Sequence, residues 1–120
     1  MGKRILVANG SFGDRIALRD LLVSLGYHIV GQTARGRGLL EKYKDLKPDL
    51  VVLDAKMPDM DCISVIQELL LTDHEANILI CVARGQRAIA TEAIQAGAVD
   101  FITKPIDPRR LRKAVRGLIG

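Results

Sequence analysis

Two charged residues, Asp54 and Lys104, stand at the ends of short apolar runs, where a carboxylate and an ammonium group could take part in binding or group transfer. Asp54 follows the run 50–53, and Lys104 follows the run 101–103 and precedes Pro105. An aspartate has no packing role there, so we expect its carboxylate to face a crevice at the carboxyl ends of the strands. The Lys104 ammonium would reach across the same crevice as a point charge for a carboxylate or a phosphate. The Lys104–Pro105 bond is a candidate for a cis peptide.

The elements that must position these residues alternate, five times along the chain, between short apolar runs and helical patterns. Each apolar run of strand length is followed by a segment with apolar residues three or four apart. This alternation predicts an α/β fold of three layers, a doubly wound parallel sheet with helices on both faces. The predicted strands are residues 5–8, 28–33, 50–53, 78–82 and 101–103.

Helix boundaries are marked by glycine, proline and aspartate. Gly26 fits the C-terminal end of the first helix. Asp107 is a plausible N-cap of the last helix, with Pro108 at its first position. Gly36 and Gly38 predict a poor start for the second helix, because glycine is a poor helix former.

Composition and charge limit the class of protein. The 120 residues are 48% hydrophobic and 27% charged, which is typical of one folded domain, predicted over residues 1–120. No segment approaches ~18 consecutive apolar residues, so we expect no membrane association and a cytoplasmic location. Cys62 and Cys81 are too few for a disulfide framework and are expected to be buried thiols. The net charge of +4 favours acidic partners.

Longer motifs carry a resemblance to a known family. The segments KRILVANG, KPDLVVLDAKMPDMD and EAIQAGAVDFITKP, with their spacing, resemble a response-regulator receiver domain of the CheY type. The resemblance covers essentially all 120 residues, and LDxxMPxMD followed by AGAxDFxxKP is far more specific than a lone glycine loop. It implies a flavodoxin-like, five-stranded sheet with strand order 2-1-3-4-5. It also implies a non-enzymatic signalling domain whose partners are a histidine kinase or another signalling protein, and an output domain or effector protein.

The resemblance also implies roles for single residues. In that family, the aspartate that matches Asp54 accepts a phosphoryl group from a histidine kinase with the help of Mg²⁺. Two acidic groups that follow the first strand hold this Mg²⁺ in position. The lysine that matches Lys104 supplies a second positive charge. A serine or threonine at the position of Val82 hydrogen-bonds the phosphoryl group, and an aromatic residue at the position of Phe101 reports the switch.

The acidic pair and the hydroxyl are missing from this chain. Asn9 and Gly10 replace the two acidic residues, so Mg²⁺ loses its strongest ligands. We therefore expect no cofactor, or at most a weakly held Mg²⁺ at Asp54. Val82 cannot donate a hydrogen bond to a phosphoryl oxygen, so the usual coupling step would be absent.

Lys56 and Arg84 are predicted to add positive charge beside Asp54, so the crevice would be cationic overall and would repel a divalent ion. Lys56 or Lys104 would then form a salt bridge with Asp54 that substitutes for the metal and locks one conformation. In the alternative interpretation, Lys56 points to solvent and Asp54 remains free.

Several functions stay open at this point. The favoured hypothesis is a pseudo-receiver, a two-component signalling domain that acts by protein contact with phosphorylation at Asp54 weakened or lost. One alternative keeps Asp54 as a working phosphoacceptor that uses Lys56, Lys104 and Arg84 in place of a well-held Mg²⁺. An aspartate-nucleophile phosphatase is disfavoured, because Lys56 stands where such enzymes have a second aspartate.

A nucleic-acid-binding module is the remaining alternative, and it would use the last helix. That helix places five basic residues away from its apolar side, but no aromatic residues accompany them, so nucleic acid is not the expected partner. The basic residues are Arg109, Arg110, Arg112, Lys113 and Arg116.

Overall fold

Strands and helices alternate strictly in the computed structural model, which describes residues 2–120. The elements are β1 (Arg4–Ala8), α1 (Phe12–Ser24), β2 (His28–Thr33), α2 (Gly36–Leu46), β3 (Leu50–Asp54), α3 (Cys62–Thr72), β4 (Ile78–Val82), α4 (Arg87–Ala96), β5 (Asp100–Thr103) and α5 (Pro108–Ile119). All strand pairs are parallel, and the strands lie in the order β2-β1-β3-β4-β5. The predicted fold class and strand order are confirmed.

The central strands are apolar because helices cover both faces of the sheet. Every residue of β3 and β4 is buried. Alternate side chains of β3 enter two cores: Val51 and Leu53 pack with α2, α3 and α4, whereas Leu50 and Val52 pack with α1 and α5. Asp54 is the last residue of β3, so the strand carries it from the core to the carboxyl edge of the sheet.

The predicted element boundaries agree with the structure to within one residue at most strands. β1 begins at Arg4 and β5 at Asp100, each one residue before the predicted start. The predicted cap of α5 is confirmed, because the Asp107 carboxylate accepts a hydrogen bond from the Arg109 amide at 2.9 Å. Gly26, with a φ of +97°, follows the end of α1. None of the helices within residues 2–120 has the length and apolar character needed to span a membrane.

Close packing explains why α2 begins at Gly36, where a poor helix start was predicted. A Cβ atom at Gly36 would lie 2.9 Å from Val65 Cγ2 and 3.2 Å from Met60 Cβ, and one at Gly38 would overlap Thr33 Oγ1. The first turn of α2 therefore sits against β2 and the α3 region at distances that only glycine permits. Tertiary contact outweighs the low helix propensity of glycine here.

Replacing Gly36 with alanine tests this packing. Gly36→Ala is expected to lower the free energy of unfolding by about 1–3 kcal/mol, because the methyl group overpacks against Val65 and Met60. The control is Gly13→Ala in α1, where a Cβ meets no atom within 4 Å. That change is expected to raise the free energy of unfolding by up to about 1 kcal/mol, because alanine is the better helix former. Urea denaturation followed by circular dichroism measures both, and equal effects would contradict the packing argument.

Candidate functional site

The carboxyl ends of the strands open onto a cavity of about 510 Å³. Its lining comes from the ends of β3 and β4, from the loops that follow β1, β3, β4 and β5, and from the first turn of α1. This edge is where ligands bind in open parallel sheets. The structure thus brings together residues from four separate parts of the sequence. Among the lining residues are Asn9, Gly10, Ser11, Asp14, Asp54, Lys56, Cys81, Gln86 and Lys104.

The Asp54 carboxylate is held by one charged side chain and one backbone amide. Its Oδ1 atom forms a salt bridge with Lys104 Nζ, and its Oδ2 atom accepts a hydrogen bond from the Lys56 backbone amide at 3.0 Å. The Asp54 side chain is 5% exposed, whereas that of Lys104 is 31% exposed. The Lys104–Pro105 peptide bond, a candidate for the cis form, is cis. Both carboxylate oxygens of Asp54 are therefore engaged within the protein.

Of the two lysines predicted to pair with Asp54, the structure places only Lys104 in the salt bridge. The Lys56 side chain is exposed, and its ammonium forms no ion pair with any residue between 2 and 120. Lys56 contributes its backbone amide instead. The expectation that Lys56 points to solvent agrees with the structure, but Asp54 is not free.

At the end of β1, Asn9 is held by hydrogen bonds to its own loop, to α1 and to β2. Asn9 is buried, and its Oδ1 atom accepts a hydrogen bond from the Ser11 amide at 2.8 Å. The Arg15 guanidinium donates to the Asn9 backbone carbonyl at 2.9 Å and lies 5.4 Å from the centre of the Phe12 ring. These contacts fix the position of Asn9, while Gly10 presents no side chain at all.

This donor set does not fit a magnesium ion. Mg²⁺ prefers octahedral oxygen ligands and is usually held by one or two carboxylates. The Asp54 oxygens are engaged by Lys104 and Lys56, the Asn9 side-chain oxygen is engaged by Ser11, and Gly10 has no side-chain ligand, which leaves Asp14 as the other carboxylate of the lining. Within the described part of the chain, no three histidine, cysteine, aspartate or glutamate side chains converge on one point.

Asp14 also lines the cavity, although the sequence reasoning did not select it. It lies in the first turn of α1 and is the second acidic residue of the lining, beside the two lysines Lys56 and Lys104 in the same set. Arg84 is exposed and is not among the lining residues. The prediction of a crevice that is cationic overall is therefore wrong, since the described lining has two acidic and two basic side chains. An acidic residue in the first helical turn after β1 was the signal in the sequence.

Val82 and Phe101, the positions matched to the family's switch residues, lie outside the cavity lining. Val82 is buried in the core shared with α3 and α4, and its backbone carbonyl accepts a hydrogen bond from the Lys104 amide at 2.8 Å. Phe101 is 38% exposed on β5. Gln86, which the sequence reasoning missed, lines the cavity and accepts a hydrogen bond from the Ala83 amide at 3.2 Å through Oε1.

The loop between β3 and α3 is anchored to the helices on either side. The Asp59 carboxylate caps α2 by accepting hydrogen bonds from the Gly36 amide at 2.7 Å and the Arg37 amide at 3.1 Å. The hydrogen bond from Arg37, followed by that from Gly36, lowers the pKa of Asp59. Asp61 caps α3 and also pairs with Lys56 in an isolated β-bridge. The anchored loop holds the Lys56 amide against Asp54.

Both cysteines are buried and free, as predicted. Cys81 lies on β4 beside the site, where burial, followed by the nearby Asp54 carboxylate, raises its pKa to about 12. Burial is also the main cause that raises the pKa of Cys62 at the start of α3. Because a thiol reacts through its thiolate, these shifts keep both side chains unreactive near neutral pH.

Known proteins match the chain over nearly its whole length. It is 44% identical to the chemotaxis protein CheY of Thermotoga maritima over 115 residues, which covers 96% of each chain. It is 32% identical to the sporulation initiation phosphotransferase F of Bacillus subtilis over 116 residues, which covers 97% of this chain and 93% of that protein.

Solved structures and the family model agree with these relatives. The crystal structure of a CheX–CheY complex with BeF3 and Mg²⁺ from Borrelia burgdorferi matches with a TM-score of 0.92 and 27% identity. The match covers 98% of this chain and 90% of that chain. The model of the response regulator receiver domain matches residues 5–116. The chain therefore belongs to the response regulator receiver family and is a CheY-like domain of two-component signalling.

Proposed function

We propose that this receiver signals through contact with another protein, and that magnesium-dependent phosphorylation of Asp54 is weakened or lost. The main support for this proposal is the Asp54–Lys104 salt bridge, in a site where Asn9 and Gly10 follow β1. The family, the fold and the cavity support a receiver, and the arrangement of charges around Asp54 supports the loss of its usual chemistry.

Electrostatics connects these side chains to the proposed loss. Phosphoryl transfer requires cations next to the transferred group, which neutralise the negative charge on its oxygens while donor and acceptor are held in line. Two charges ~4 Å apart at an effective dielectric constant near 20 interact with about 4 kcal/mol, so each missing carboxylate removes a large attraction for a divalent ion. Lys104 supplies one positive charge, but it does so by occupying an oxygen of the acceptor itself.

The partner in this proposal is a histidine kinase or another signalling protein, with an output domain or effector protein downstream. The CheY of Borrelia burgdorferi forms a complex with CheX, and this chain resembles it over nearly all its length. That likeness supports a protein partner. Under this proposal, the salt bridge holds the receiver in one conformation that the partner recognises without a phosphoryl group.

Reaction with acetyl phosphate tests the proposal. The 120-residue chain is incubated with acetyl phosphate, with and without Mg²⁺, and its intact mass is measured, with Asp54→Ala as the control for other sites. We expect no added phosphoryl group at Asp54 under either condition, because Mg²⁺ finds too few ligands. An adduct that requires Mg²⁺ would contradict the proposal. An adduct without Mg²⁺ would instead indicate a phosphoacceptor assisted by Lys56 and Lys104.

A further inference from the structure

The dipeptide Asn9–Gly10, which follows β1, joins the two groups that react in the deamidation of asparagine. In that reaction the backbone nitrogen after the asparagine attacks the side-chain amide carbon, and glycine favours the attack because no side chain shields its nitrogen. The chain has two asparagines, and only Asn9 precedes a glycine. Asn77 precedes Ile78, whose branched side chain shields the nitrogen. Asn9 is therefore the asparagine whose sequence favours this reaction.

The Gly10 amide is free to act as the nucleophile. Within residues 2–120 it donates no hydrogen bond, and Gly10 is exposed. The amides on either side are both engaged: that of Asn9 donates to the Thr33 carbonyl at 3.0 Å, and that of Ser11 donates to Asn9 Oδ1 at 2.8 Å. Removal of the proton from the Gly10 amide therefore breaks no hydrogen bond of the fold.

Two hydrogen-bond donors lie where negative charge develops during this attack. The Arg15 guanidinium donates at 2.9 Å to the Asn9 backbone carbonyl, which shares one peptide group with the Gly10 nitrogen. This contact stabilises the deprotonated nitrogen, because its charge spreads onto that oxygen. The Ser11 amide donates to Asn9 Oδ1, the oxygen that becomes negative when the side-chain carbon is attacked. The loop thus stabilises both anionic stages of the reaction.

The cavity around Asp54 gives the leaving group and water access to Asn9. Asn9 and Gly10 both line this cavity of about 510 Å³. Asn9 Nδ2, the atom that leaves as ammonia, donates no hydrogen bond to any residue between 2 and 120. Its departure therefore costs no contact within the described chain, and water reaches the same carbon through the exposed Gly10 side of the cavity.

We propose that Asn9 is a self-modification site, at which the fold promotes conversion of asparagine to aspartate through a cyclic imide. The Gly10 nitrogen gives its proton to water and bonds to the Asn9 side-chain carbon. The bond from that carbon to Nδ2 then breaks, and Nδ2 leaves as ammonia after taking a proton back from water. A water molecule opens the ring, and its two carbonyls lead to two products. One is aspartate, and the other is isoaspartate, in which the main chain is one carbon longer.

The aspartate product bears on the proposed function, and this part of the inference rests on it. A carboxylate would stand at the end of β1, where the asparagine form offers Mg²⁺ no acidic ligand, and the net charge of +4 would fall by one. The fraction of chains with this carboxylate would grow with the age of the protein. The chemistry at Asn9 itself requires neither Mg²⁺ nor a partner protein.

Peptide mass spectrometry tests the inference. The 120-residue chain is incubated in neutral buffer, either folded or unfolded in guanidinium chloride, and conversion at Asn9 is followed over time. Electron-transfer fragmentation separates aspartate from isoaspartate. We expect Asn9 to convert at least as fast in the folded chain as in the unfolded chain. Arg15→Met is expected to slow the folded chain about tenfold and to leave the unfolded rate unchanged, because the guanidinium contact exists only in the fold.

The controls separate the contribution of the loop from that of the sequence. Asn77 lies in the same samples and is expected to remain asparagine. Gly10→Ala is expected to slow conversion by about tenfold or more in both states, because the methyl group shields the nitrogen. Slower conversion of Asn9 in the folded chain than in the unfolded chain would show that the loop protects it, and the inference would be wrong. Equal folded rates with and without the Arg15 guanidinium would also overturn it.

The two proposals fail in different ways. If a freshly purified chain, with Asn9 intact by mass, takes up a phosphoryl group at Asp54 with Mg²⁺, the proposed loss of phosphorylation is wrong whatever happens at Asn9. If the fresh chain resists phosphorylation and Asn9 is not converted faster than Asn77, only the inference about Asn9 is wrong.

Discussion

Restoring both acidic residues, with Asn9→Asp and Gly10→Asp in one chain, is expected to return magnesium-dependent phosphorylation to Asp54. In Mg²⁺, the rate of reaction with acetyl phosphate is expected to rise on the order of 100-fold or more, which corresponds to about 2.7 kcal/mol of barrier. The two new carboxylates would supply the ligands that Mg²⁺ lacks, and the bound ion would neutralise charge on the transferred group. Intact mass followed over time measures the rate.

The site has room for both changes. Asn9 Oδ1 accepts a hydrogen bond from the Ser11 amide, and an aspartate oxygen accepts the same bond. A Cβ atom at residue 10 lies 3.1 Å from Pro58 Cδ, so the loop has to yield only by a few tenths of an ångström.

The matched control for this restoration is Gly10→Asn with Asn9 retained, which adds nearly the same bulk without charge. That chain is expected to remain unreactive toward acetyl phosphate with or without Mg²⁺. Equal phosphorylation rates in the aspartate and asparagine variants would contradict the electrostatic explanation, because only one of them provides carboxylate ligands.

Lys104→Met is expected to lower the free energy of unfolding by about 1–3 kcal/mol, because Asp54 would keep its buried charge without a counter-ion. Breaking a fully buried pair costs about 3–5 kcal/mol. We expect less here because the Lys104 side chain is 31% exposed and water compensates part of the loss. Urea denaturation measures the midpoint and the slope of the transition.

A double-mutant cycle isolates the contribution of the pair. Asp54→Asn combined with Lys104→Met is expected to be more stable than Lys104→Met alone by about 1 kcal/mol or more, because a neutral amide needs no counter-ion. The single change Asp54→Asn completes the cycle. Additive effects of the two single changes would show that the salt bridge contributes nothing to stability.

The fold was predictable because its signals are local. Strands buried on both faces are continuously apolar, and the helices between them repeat every three or four residues, so the sequence patterns indicated an α/β sheet. The strand order came from family motifs and not from periodicity. The start of α2 was not predictable in this way, because Gly36 is explained by contact with Val65 and Met60, which lie far away in the sequence.

The candidate site was predictable where a residue ends a strand and less so where a helix contributes. Asp54 and Lys104 follow apolar runs, which indicated a common edge of the sheet. Asp14 lines the cavity from the first turn of α1, and its charge balances the two lysines, so the crevice is not cationic overall as expected. Which lysine pairs with Asp54 also depends on side-chain direction, and two lysines near one aspartate leave this open until the backbone is known.

The cap on α2 provides a local reporter of the site. The first amides of a helix have no partner within the helix, so they ordinarily exchange their hydrogens with solvent quickly. In α2, the amides of Gly36 and Arg37 donate instead to Asp59, in the loop that carries Lys56. The rate of deuterium uptake at these two amides therefore reports whether the loop is packed against α2. A partner that lifts the loop would speed exchange at these two amides while the middle of α2 stayed protected.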